Sequence, residues 1–402
     1  MRSQLAALGI KTLQLGGRSL LPIVQGGMGV GVSAHRLAGA VAREGAVGTV
    51  ASVDLRHHHP DLLALSRQHR DKASIDALNL TALDREIRAA RDMAAGEGLI
   101  AVNIMKAVAE HPLLVRQACA SGADAIVMGA GLPLDLPDLT ADYPGMALIP
   151  ILSDARGIGL LIKKWLRKGR LPDAIVIEHP RYAGGHLGAA RIEDLNDSRF
   201  DFDNVLAQTR QLLHDMKIEQ ERIPLICAGG INSPQQVQQL LANGASAVQL
   251  GSAFAVSEEG DAHPEFKRVL AEARPEDIVE FMSVAGLPAR GVLTPWLKNY
   301  LKRESLLQSK ARCGAERCAA GLHCLTVCGL RDGLAKFGQF CIDSQLAAAM
   351  RGEISKGLFF RGASRLPFGE AIRPVRELIE YMLLGRWPAA LTGGKACITA
   401  SA

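Results

Sequence analysis

Aromatic residues are scarce in this sequence, at 4% of its 402 residues, whereas glycine occurs 41 times. Few large rings and many glycines are typical of an α/β protein with many tight turns between strands and helices. No apolar run approaches the ~18 residues of a membrane helix, and the N-terminal segment lacks the apolar core of a signal peptide. We therefore expect no membrane contact and a cytoplasmic protein, whose eight cysteines are reduced rather than paired in disulfides.

A block of charge of one sign is also missing. The 46 basic and 41 acidic residues leave a formal charge of +5, and they are spread along the chain. This distribution does not provide the basic patch that binds nucleic acid. We therefore expect small-molecule partners rather than DNA or RNA.

The sequence does contain eight short apolar runs, most of them followed by a helical pattern. These predicted strands cover residues 21–27, 46–52, 98–105, 123–129, 146–152, 173–178, 223–230 and 245–251. Eight strands that alternate with helices predict an α/β fold of the (β/α)₈ TIM-barrel type. The alternative is an open doubly wound sheet. The count of eight and the absence of an early G-x-G-x-x-G motif disfavour it.

Some segments depart from this alternation. Residues 53–80 and 184–202 are predicted to be long loops. Thr81 with Asp84 resembles a capping box, which predicts that a helix begins there. Residues 277–300 read as an irregular crossover. We therefore predict a TIM barrel over residues 1–300 with an irregular insertion, and a Cys-rich helical C-terminal extension over residues 301–402 that packs on the barrel.

Glycines follow the last two predicted strands, in AGGIN (228–232) and LGSAF (250–254). In a TIM barrel, phosphate often binds after strands seven and eight, where glycines let backbone N–H groups approach an anion. The alternative is a pair of ordinary turns. The first strand ends in VQGGMGVGVS (24–33), whose glycines permit close approach of a flat ring, although a plain turn explains them equally well.

A histidine follows the sixth strand in AGGH (183–186). His186 should face the same mouth of the barrel, and Gly184 and Gly185 remove side chains that would block a ring system. A histidine beside such a cofactor can act as a base or as a hydrogen-bond donor near neutral pH. The alternative is a loop histidine that bonds only to backbone.

Five motifs together resemble the nitronate monooxygenase family, formerly called 2-nitropropane dioxygenases: QGGMGVGVS, AVNIM, AGGHLG, CAGGINSPQQV and GASAVQLGSAF. The resemblance covers roughly residues 20–300. It implies a TIM barrel that holds non-covalent FMN, with His186 as the active-site histidine. The residues expected to bind the cofactor are Gly26, Gly27, Met28 and Asn103 near the ring, Gly184 and Gly185 beside it, and Gly229, Gly230, Gly251 and Ser252 at the phosphate. Ser252 stands where many relatives have threonine, which also carries a hydroxyl.

The resemblance also implies a reaction. Members of the family oxidise alkyl nitronates with O2 to a carbonyl compound and nitrite, and His186 would position the nitronate or remove the α-proton of a nitroalkane. Close relatives include flavin-dependent enoyl-ACP reductases, so the alternative is an NAD(P)H-dependent FMN reductase that acts on an enoyl thioester or a quinone. A non-catalytic flavin-binding protein is a third reading. A homodimer is expected only from the frequency of dimers among oligomers.

Five cysteines lie within 29 residues beyond the predicted barrel, and four of them form the pattern C-x5-C-x3-C-x12-C: Cys318, Cys324, Cys328 and Cys341. This pattern resembles the iron–sulfur loop of dienoyl-CoA reductases, although the spacing differs. The sequence leaves three readings open: a [4Fe–4S] cluster, a structural zinc site, or unliganded thiols.

Two further features invite a functional reading. His57, His58 and His59 are consecutive, and successive side chains of an extended chain point in opposite directions, so we do not expect all three to bind one metal. Their loop reads as a solvated loop or a lid. Arg290 lies in a stretch without periodicity and could pair either with an anionic substrate or with a surface carboxylate.

Overall fold

A computed structural model describes residues 1–69, 71–314, 317–318 and 323–388. Residues 315–316, 319–322 and 389–402, which are parts of the predicted C-terminal extension, lie outside the described residues. In the described ranges, no helix is both long enough and apolar enough to cross a membrane.

Eight parallel strands form a closed barrel. The strands of the described residues are, in chain order, β1 (Leu13–Leu15), β2 (Arg18–Leu20), β3 (Ile23–Gln25), β4 (Val47–Ala51), β5 (Leu99–Met105), β6 (Ala125–Gly129), β7 (Ala147–Leu152), β8 (Ile175–Glu178), β9 (Gly185–His186), β10 (Leu225–Ala228), β11 (Ala247–Leu250), β12 (Ile278–Met282) and β13 (Pro288–Val292). The barrel runs in the order β3-β4-β5-β6-β7-β8-β10-β11, and β11 pairs with β3. The predicted TIM barrel is confirmed, and each predicted apolar run contains one barrel strand.

The barrel interior is a packed core. Its side chains include Val24, Val47 and Val176, and the leucines of the β1–β2 hairpin join the same cluster. Leu99, at the start of β5, belongs to it as well. The hairpin therefore closes the N-terminal end of the barrel, which leaves the opposite end for a site.

Helices surround the barrel. They are α1 (Arg2–Ala7), α2 (His35–Arg43), α3 (Pro60–Ser66), α4 (Lys72–Ala94), α5 (His111–Ala120), α6 (Leu136–Leu139), α7 (Ala155–Leu166), α8 (Phe202–Asp215), α9 (Pro234–Ala242), α10 (Ser252–Ala255), α11 (Pro264–Glu272), α12 (Pro295–Ser309), α13 (Gly329–Asp332), α14 (Ile342–Met350) and α15 (Val375–Leu384). Short 3-10 helices cover Leu55–His58, Ile192–Asn196, Ser198–Phe200, Gln220–Arg222 and Pro275–Asp277.

The predicted helix start at Thr81 was wrong. α4 begins ten residues earlier, where the Asp71 side chain accepts the Ser74 N–H. Thr81 lies inside this helix, and its hydroxyl donates to the carbonyl of Ala77, one turn back. Since α3 and the start of α4 occupy most of residues 53–80, that segment is not a long loop.

The last helix, α15, belongs to the ring of barrel helices. It packs against α9 and α2, which follow the strands on either side of β11. Val375, Leu378 and Ile379 of α15 lie in the main hydrophobic core. The C-terminal part of the chain therefore fills the position of the eighth barrel helix.

Residues 277–300 were predicted as an irregular crossover, and this was wrong, because they contain β12, β13 and the start of α12. β12 and β13 form an antiparallel hairpin, and β9 adds a third strand to it. In this sheet His186 pairs with Ala289 and Gly185 pairs with Arg290. The hairpin thus fixes the position of the predicted active-site histidine.

Candidate active site

A large cavity lies at the C-terminal ends of the barrel strands. It encloses about 1980 Å³, part of it open to solvent. All of the residues predicted for the cofactor and for catalysis line it: Gly26, Gly27, Met28, Asn103, Gly184, Gly185, His186, Gly229, Gly230, Gly251 and Ser252. The structure therefore brings together residues that the sequence distributes over more than 220 positions.

The glycine after β3 is required by its neighbour. A Cβ on Gly27 would lie 2.2 Å from the Cβ of Asn103, which is closer than any real contact. Gly26 donates its N–H to the Leu250 carbonyl of β11 at 2.8 Å, which closes this corner of the barrel. The backbone at the end of β3 consequently faces the cavity without a side chain between them.

The glycines after β10 adopt backbone angles that other residues rarely take. Gly229 has φ +101° and Gly230 has φ +79°. A Cβ on Gly230 would also lie 2.8 Å from the Tyr182 Cβ. This turn is open to the cavity, as a site that accepts a phosphate on backbone N–H groups requires.

The C-terminal segment around Arg361 and Gly362 forms the wall at this end of the cavity. None of its residues was among those predicted for the site. The Ser252 hydroxyl oxygen accepts the N–H of Gly362 at 2.9 Å, across 110 residues of chain. Arg361 is 3% exposed and lines the cavity. Its guanidinium donates to the carbonyls of Leu270 and Ser364 at 2.8 and 3.1 Å.

No carboxylate among the described residues neutralises Arg361, and burial alone lowers the pKa of its guanidinium. A buried cation that bonds only to carbonyls is costly unless an anion completes its environment. Its position beside Ser252 and Gly362 therefore favours a phosphate at this end of the cavity.

The glycine pair before His186 packs against the same segment. A Cβ on Gly184 would lie 2.5 Å from backbone atoms of Arg361 and Gly362. Gly185 has φ +75°, and its nearest neighbour in that direction is the ring of Phe360 at 3.5 Å. Gly184 is thus explained by the close approach of the C-terminal segment and Gly185 by its positive φ, reasons that the sequence did not reveal.

His186 lies in the cavity wall with a hydroxyl as its partner. Its Nε2 is 2.9 Å from the Ser283 hydroxyl oxygen, and its ring stands edge-on to Phe360 with centroids 5.7 Å apart. Burial lowers the pKa of the His186 imidazole to about 4. The ring is therefore neutral at neutral pH, and it is not the backbone-bonded loop histidine that the alternative reading described.

Glu178 is a site residue that the sequence analysis missed. It ends β8 and lines the cavity, and burial raises the pKa of its carboxyl to about 7. Its position could have been inferred only from the alternation of side chains along β8. Val176 points into the barrel, and Glu178, two residues further on, lies on the same face of the strand. A carboxyl group that titrates near pH 7 in a cleft is typical of a functional site.

Arg290 does not face the cavity, so the anion-pairing reading was wrong. The residue lies in β13 and is 2% exposed. Its Nε donates to Glu280 at 2.8 Å, and its Nη1 donates to the carbonyls of Pro180 and Ala183 at 3.1 and 2.5 Å. Arg290 therefore holds the chain that leads from β8 to His186.

The three consecutive histidines have different partners, as expected. His58 Nε2 lies 2.7 Å from the Gly31 carbonyl oxygen, and His59 Nε2 lies 2.9 Å from Glu86. His57 faces Asp54 and Asp343 instead. All three are partly buried, His57 and His58 within a short 3-10 helix and His59 directly after it, rather than solvated in an open loop.

The group of Asp54, His57 and Asp343 brings three ligating atoms within 4.8 Å of one another. The Arg56 guanidinium contacts Asp54 directly and supplies positive charge at the same place. The arrangement is thus explained as a buried ion-pair network, and a metal ion is not needed to balance its carboxylates.

The four cysteines of the C-x5-C-x3-C-x12-C pattern line a second, smaller cavity. Cys313 is exposed and does not line it, and Cys227 is fully buried in β10 as core. Burial raises the pKa of the Cys227 thiol to about 12.

The sequence is similar to those of known proteins. The profile of the family described as "Nitronate monooxygenase" matches residues 18–384. A protein of Bacillus subtilis (strain 168) named "Probable nitronate monooxygenase" is 32% identical over 124 residues, which cover 31% of this chain and 33% of that protein. A protein of Staphylococcus saprophyticus with the same name is 30% identical over 123 residues, which cover 29% and 31%. The aligned part therefore spans only about a third of these relatives.

Solved structures share the fold. FabK from Thermotoga maritima superimposes with a TM-score of 0.63 at 23% identity, over 93% of this chain and 95% of its own. A nitroalkane oxidase from Streptomyces ansochromogenes gives 0.60 at 20% identity, over 90% and 94%. The enoyl reductase domain of MlnA from Bacillus amyloliquefaciens gives 0.53 at 13% identity, over 76% and 70%. At these identities the likeness concerns the fold alone.

Proposed function

The chain belongs to the nitronate monooxygenase family, and from this membership we propose that it is an FMN-dependent oxidoreductase that oxidises alkyl nitronates with O2 to a carbonyl compound and nitrite. The observation that carries the proposal is the convergence of His186 and the ten predicted cofactor residues on one cavity. The cytoplasmic location, the homodimer and the domain division at residue 300 stay predictions.

The residues present fit FMN at both of its ends. At the phosphate end, Arg361, the Gly229–Gly230 turn and the segment around Gly362 offer a cation and backbone N–H groups. At the ring end, Gly26 and Gly27 leave backbone facing the cavity without side chains. FMN bound there would supply the electron acceptor for the nitronate and the site that reacts with oxygen.

His186 is proposed to hold the substrate. Ser283 Oγ accepts the Ala285 N–H at 3.1 Å and can donate its own proton to His186 Nε2. With Ser283 as the donor, the ring proton is on Nδ1, where it can be donated to a negatively charged nitronate oxygen. The pKa of about 4 means that the neutral form needed for this role prevails at neutral pH.

Glu178 is proposed to set the charge of the cavity. With a pKa near 7, its carboxyl is largely uncharged below that pH. An uncharged carboxyl does not repel an anionic nitronate, whereas its ionised form would. Substrate binding should therefore weaken as the pH rises through this range.

The test is turnover by the FMN-loaded protein with a short alkyl nitronate. Oxygen uptake accompanied by nitrite release supports the proposal. Replacement His186→Asn should reduce kcat/KM while FMN remains bound, because the amide keeps the approximate size but not the ring chemistry. Uptake of FMN without any nitrite release would contradict the nitronate reaction and leave only the flavin assignment.

A second candidate has one observation in its favour. The cavity extends between apolar side chains of the C-terminal part, among them Leu325, Ile342, Leu346 and Leu358. Such a wall would suit the acyl chain of an enoyl thioester or the ring of a quinone, which an NAD(P)H-dependent FMN reductase would reduce. Rapid anaerobic bleaching of the flavin by NADH or NADPH would favour this candidate.

A further inference from the structure

The second cavity is separate from the proposed flavin site and is lined by four thiols. Cys318, Cys324, Cys328 and Cys341 all face it, together with His323. Each of the four is partly buried and none is joined in a disulfide. The cavity spans about 320 Å³, part of it open to solvent.

Hydrogen bonds fix the cysteine loop to the barrel. The Cys324 carbonyl accepts the Ala109 N–H at 3.0 Å, and Thr326 donates its N–H to Ala107 at 2.9 Å. The Cys328 N–H donates to the Asp332 carboxylate at 2.8 Å. The first two bonds attach the loop at Cys324 to the segment between β5 and α5, and the third fixes Cys328 at the start of α13.

Two hydrogen-bond donors lie beside the thiols. The Ser344 hydroxyl donates to the Cys341 sulfur at 3.2 Å. Arg331 lines the cavity, and its guanidinium donates to the carbonyls of Leu325 and Thr326 at 2.8 and 3.2 Å. A hydroxyl donor on a sulfur and a nearby cation both stabilise thiolate ligands.

We propose that Cys318, Cys324, Cys328 and Cys341 are the four ligands of a [4Fe–4S] cluster. In such a cluster each thiolate binds a different iron atom, so the four sulfurs stand around the group at its corners. The arrangement requires four converging thiols that are shielded from bulk water and held by ordered backbone. In the second cavity all four thiols face one space and are partly buried, and hydrogen bonds hold the backbone at Cys324 and Cys328.

Zinc fits the spacing less well. A tetrahedral zinc site with Zn–S bonds of 2.3 Å places its sulfurs about 3.8 Å apart. In the part of the chain that the structure describes, the group of three ligating atoms within 4.8 Å of one another is Asp54, His57 and Asp343, and no cysteine belongs to it. No three of these cysteine sulfurs therefore stand as close together as a zinc ion would hold them.

The two cavities share a wall. Cys324, Leu325 and Ile342 line both of them, so a cluster in the second cavity would lie one layer of residues from the proposed flavin. The cluster does not depend on the flavin assignment. FMN content and iron content can be measured on the same sample, so failure of one proposal is distinguishable from failure of the other.

The experiment is anaerobic reconstitution of the full chain with ferrous iron and sulfide, followed by iron and sulfide analysis and by electron paramagnetic resonance after dithionite reduction. The proposal predicts about four iron and four sulfide per chain and the spectrum of a reduced cluster. Cys328→Ser and Cys341→Ser should each lose most of the iron. Cys313→Ser is the matched control, because Cys313 is exposed in the same segment, and it should keep the iron.

Three results would overturn the proposal. The first is a wild-type protein that takes up no more iron than the Cys328→Ser variant. The second is one zinc per chain with no sulfide. The third is an equal loss of iron from Cys313→Ser. Circular dichroism of each variant verifies that the iron loss does not come from unfolding, and the wild-type spectrum tests the site without any variant.

Discussion

The Nε2 atom of His186 lies 2.9 Å from the hydroxyl oxygen of Ser283, a residue 97 positions further along the chain. Ser283 is fully buried, at the turn between β12 and β13. The hairpin therefore both pairs with the strand that carries His186 and supplies the partner of its ring. The histidine is held from two sides before any substrate arrives.

Replacement Ser283→Ala should remove this second support. We expect kcat to fall about tenfold, because a hydrogen bond to a buried group contributes on the order of 1 kcal/mol and the ring then loses its fixed tautomer. Steady-state oxygen uptake with an alkyl nitronate measures the effect. FMN affinity should stay unchanged.

The control for this prediction is Ser121→Ala. Ser121 is also buried, and its hydroxyl donates to Asp84 at 2.7 Å, between α4 and α5. This variant loses a hydroxyl of similar burial that bonds to Asp84 and not to His186. An equal fall of kcat in both variants would show that Ser283 acts only through stability.

The charge of Glu178 predicts a pH dependence. Its carboxyl ionises with a pKa of about 7, so kcat/KM for an anionic nitronate should fall as the pH rises through that value. In Glu178→Gln the side chain stays uncharged, and this limb of the profile should disappear. A profile that keeps the limb in the variant would assign it to another group.

The same residue predicts a change of stability. A carboxyl whose pKa is raised in the folded state binds its proton there at a pH where the unfolded chain has released it. Glu178 therefore lowers the free energy of unfolding as the pH rises from about 4.5 to about 7. Denaturant titrations should show Glu178→Gln gaining stability relative to the wild type over that window, and a constant difference would contradict the assigned pKa.

Arg361 should govern FMN affinity. Replacement Arg361→Gln removes the buried cation beside Ser252 and Gly362, and we expect the Kd for FMN to rise roughly 10- to 100-fold, as for a lost charged hydrogen bond. Fluorescence titration of the apoprotein measures it. Arg376→Gln on α15 is the control, because this exposed arginine pairs only with Glu380, and its Kd should match the wild type.

Two glycines of the cavity should respond differently to the same methyl group. Gly184→Ala places a Cβ 2.5 Å from backbone, so the melting temperature of the apoprotein should fall by several degrees. Gly251→Ala meets nothing nearer than the Met28 sulfur at 3.8 Å, so its apoprotein should melt as the wild type does. If Gly251 borders the phosphate as proposed, that variant should nevertheless bind FMN more weakly.

The barrel strands were predictable because their signal is local. Each is a short apolar run that ends at glycine or a polar residue, and the eight barrel strands follow these runs closely. The start of α4 was missed because Thr81 offered a plausible cap, whereas the helix is stabilised from Asp71 onward by packing of its N-terminal half.

The missed site residues depend on long-range contacts. Ser283 reaches His186, and Arg361 reaches the cavity, only after the chain has folded back over the barrel mouth, at sequence separations that no local pattern encodes. Gly184 shows the same limitation. Its identity was read as room for a ring, but the steric reason is the backbone of residues 361–362.

The central claim is tested most directly by an anaerobic absorption spectrum of the FMN-loaded protein before and after addition of an alkyl nitronate. Nitronate should bleach the flavin bands, while NADH and NADPH added in parallel should leave them unchanged. A protein that does not take up FMN would contradict the cavity assignment. Bleaching by a nicotinamide nucleotide but not by the nitronate would contradict the proposed reaction.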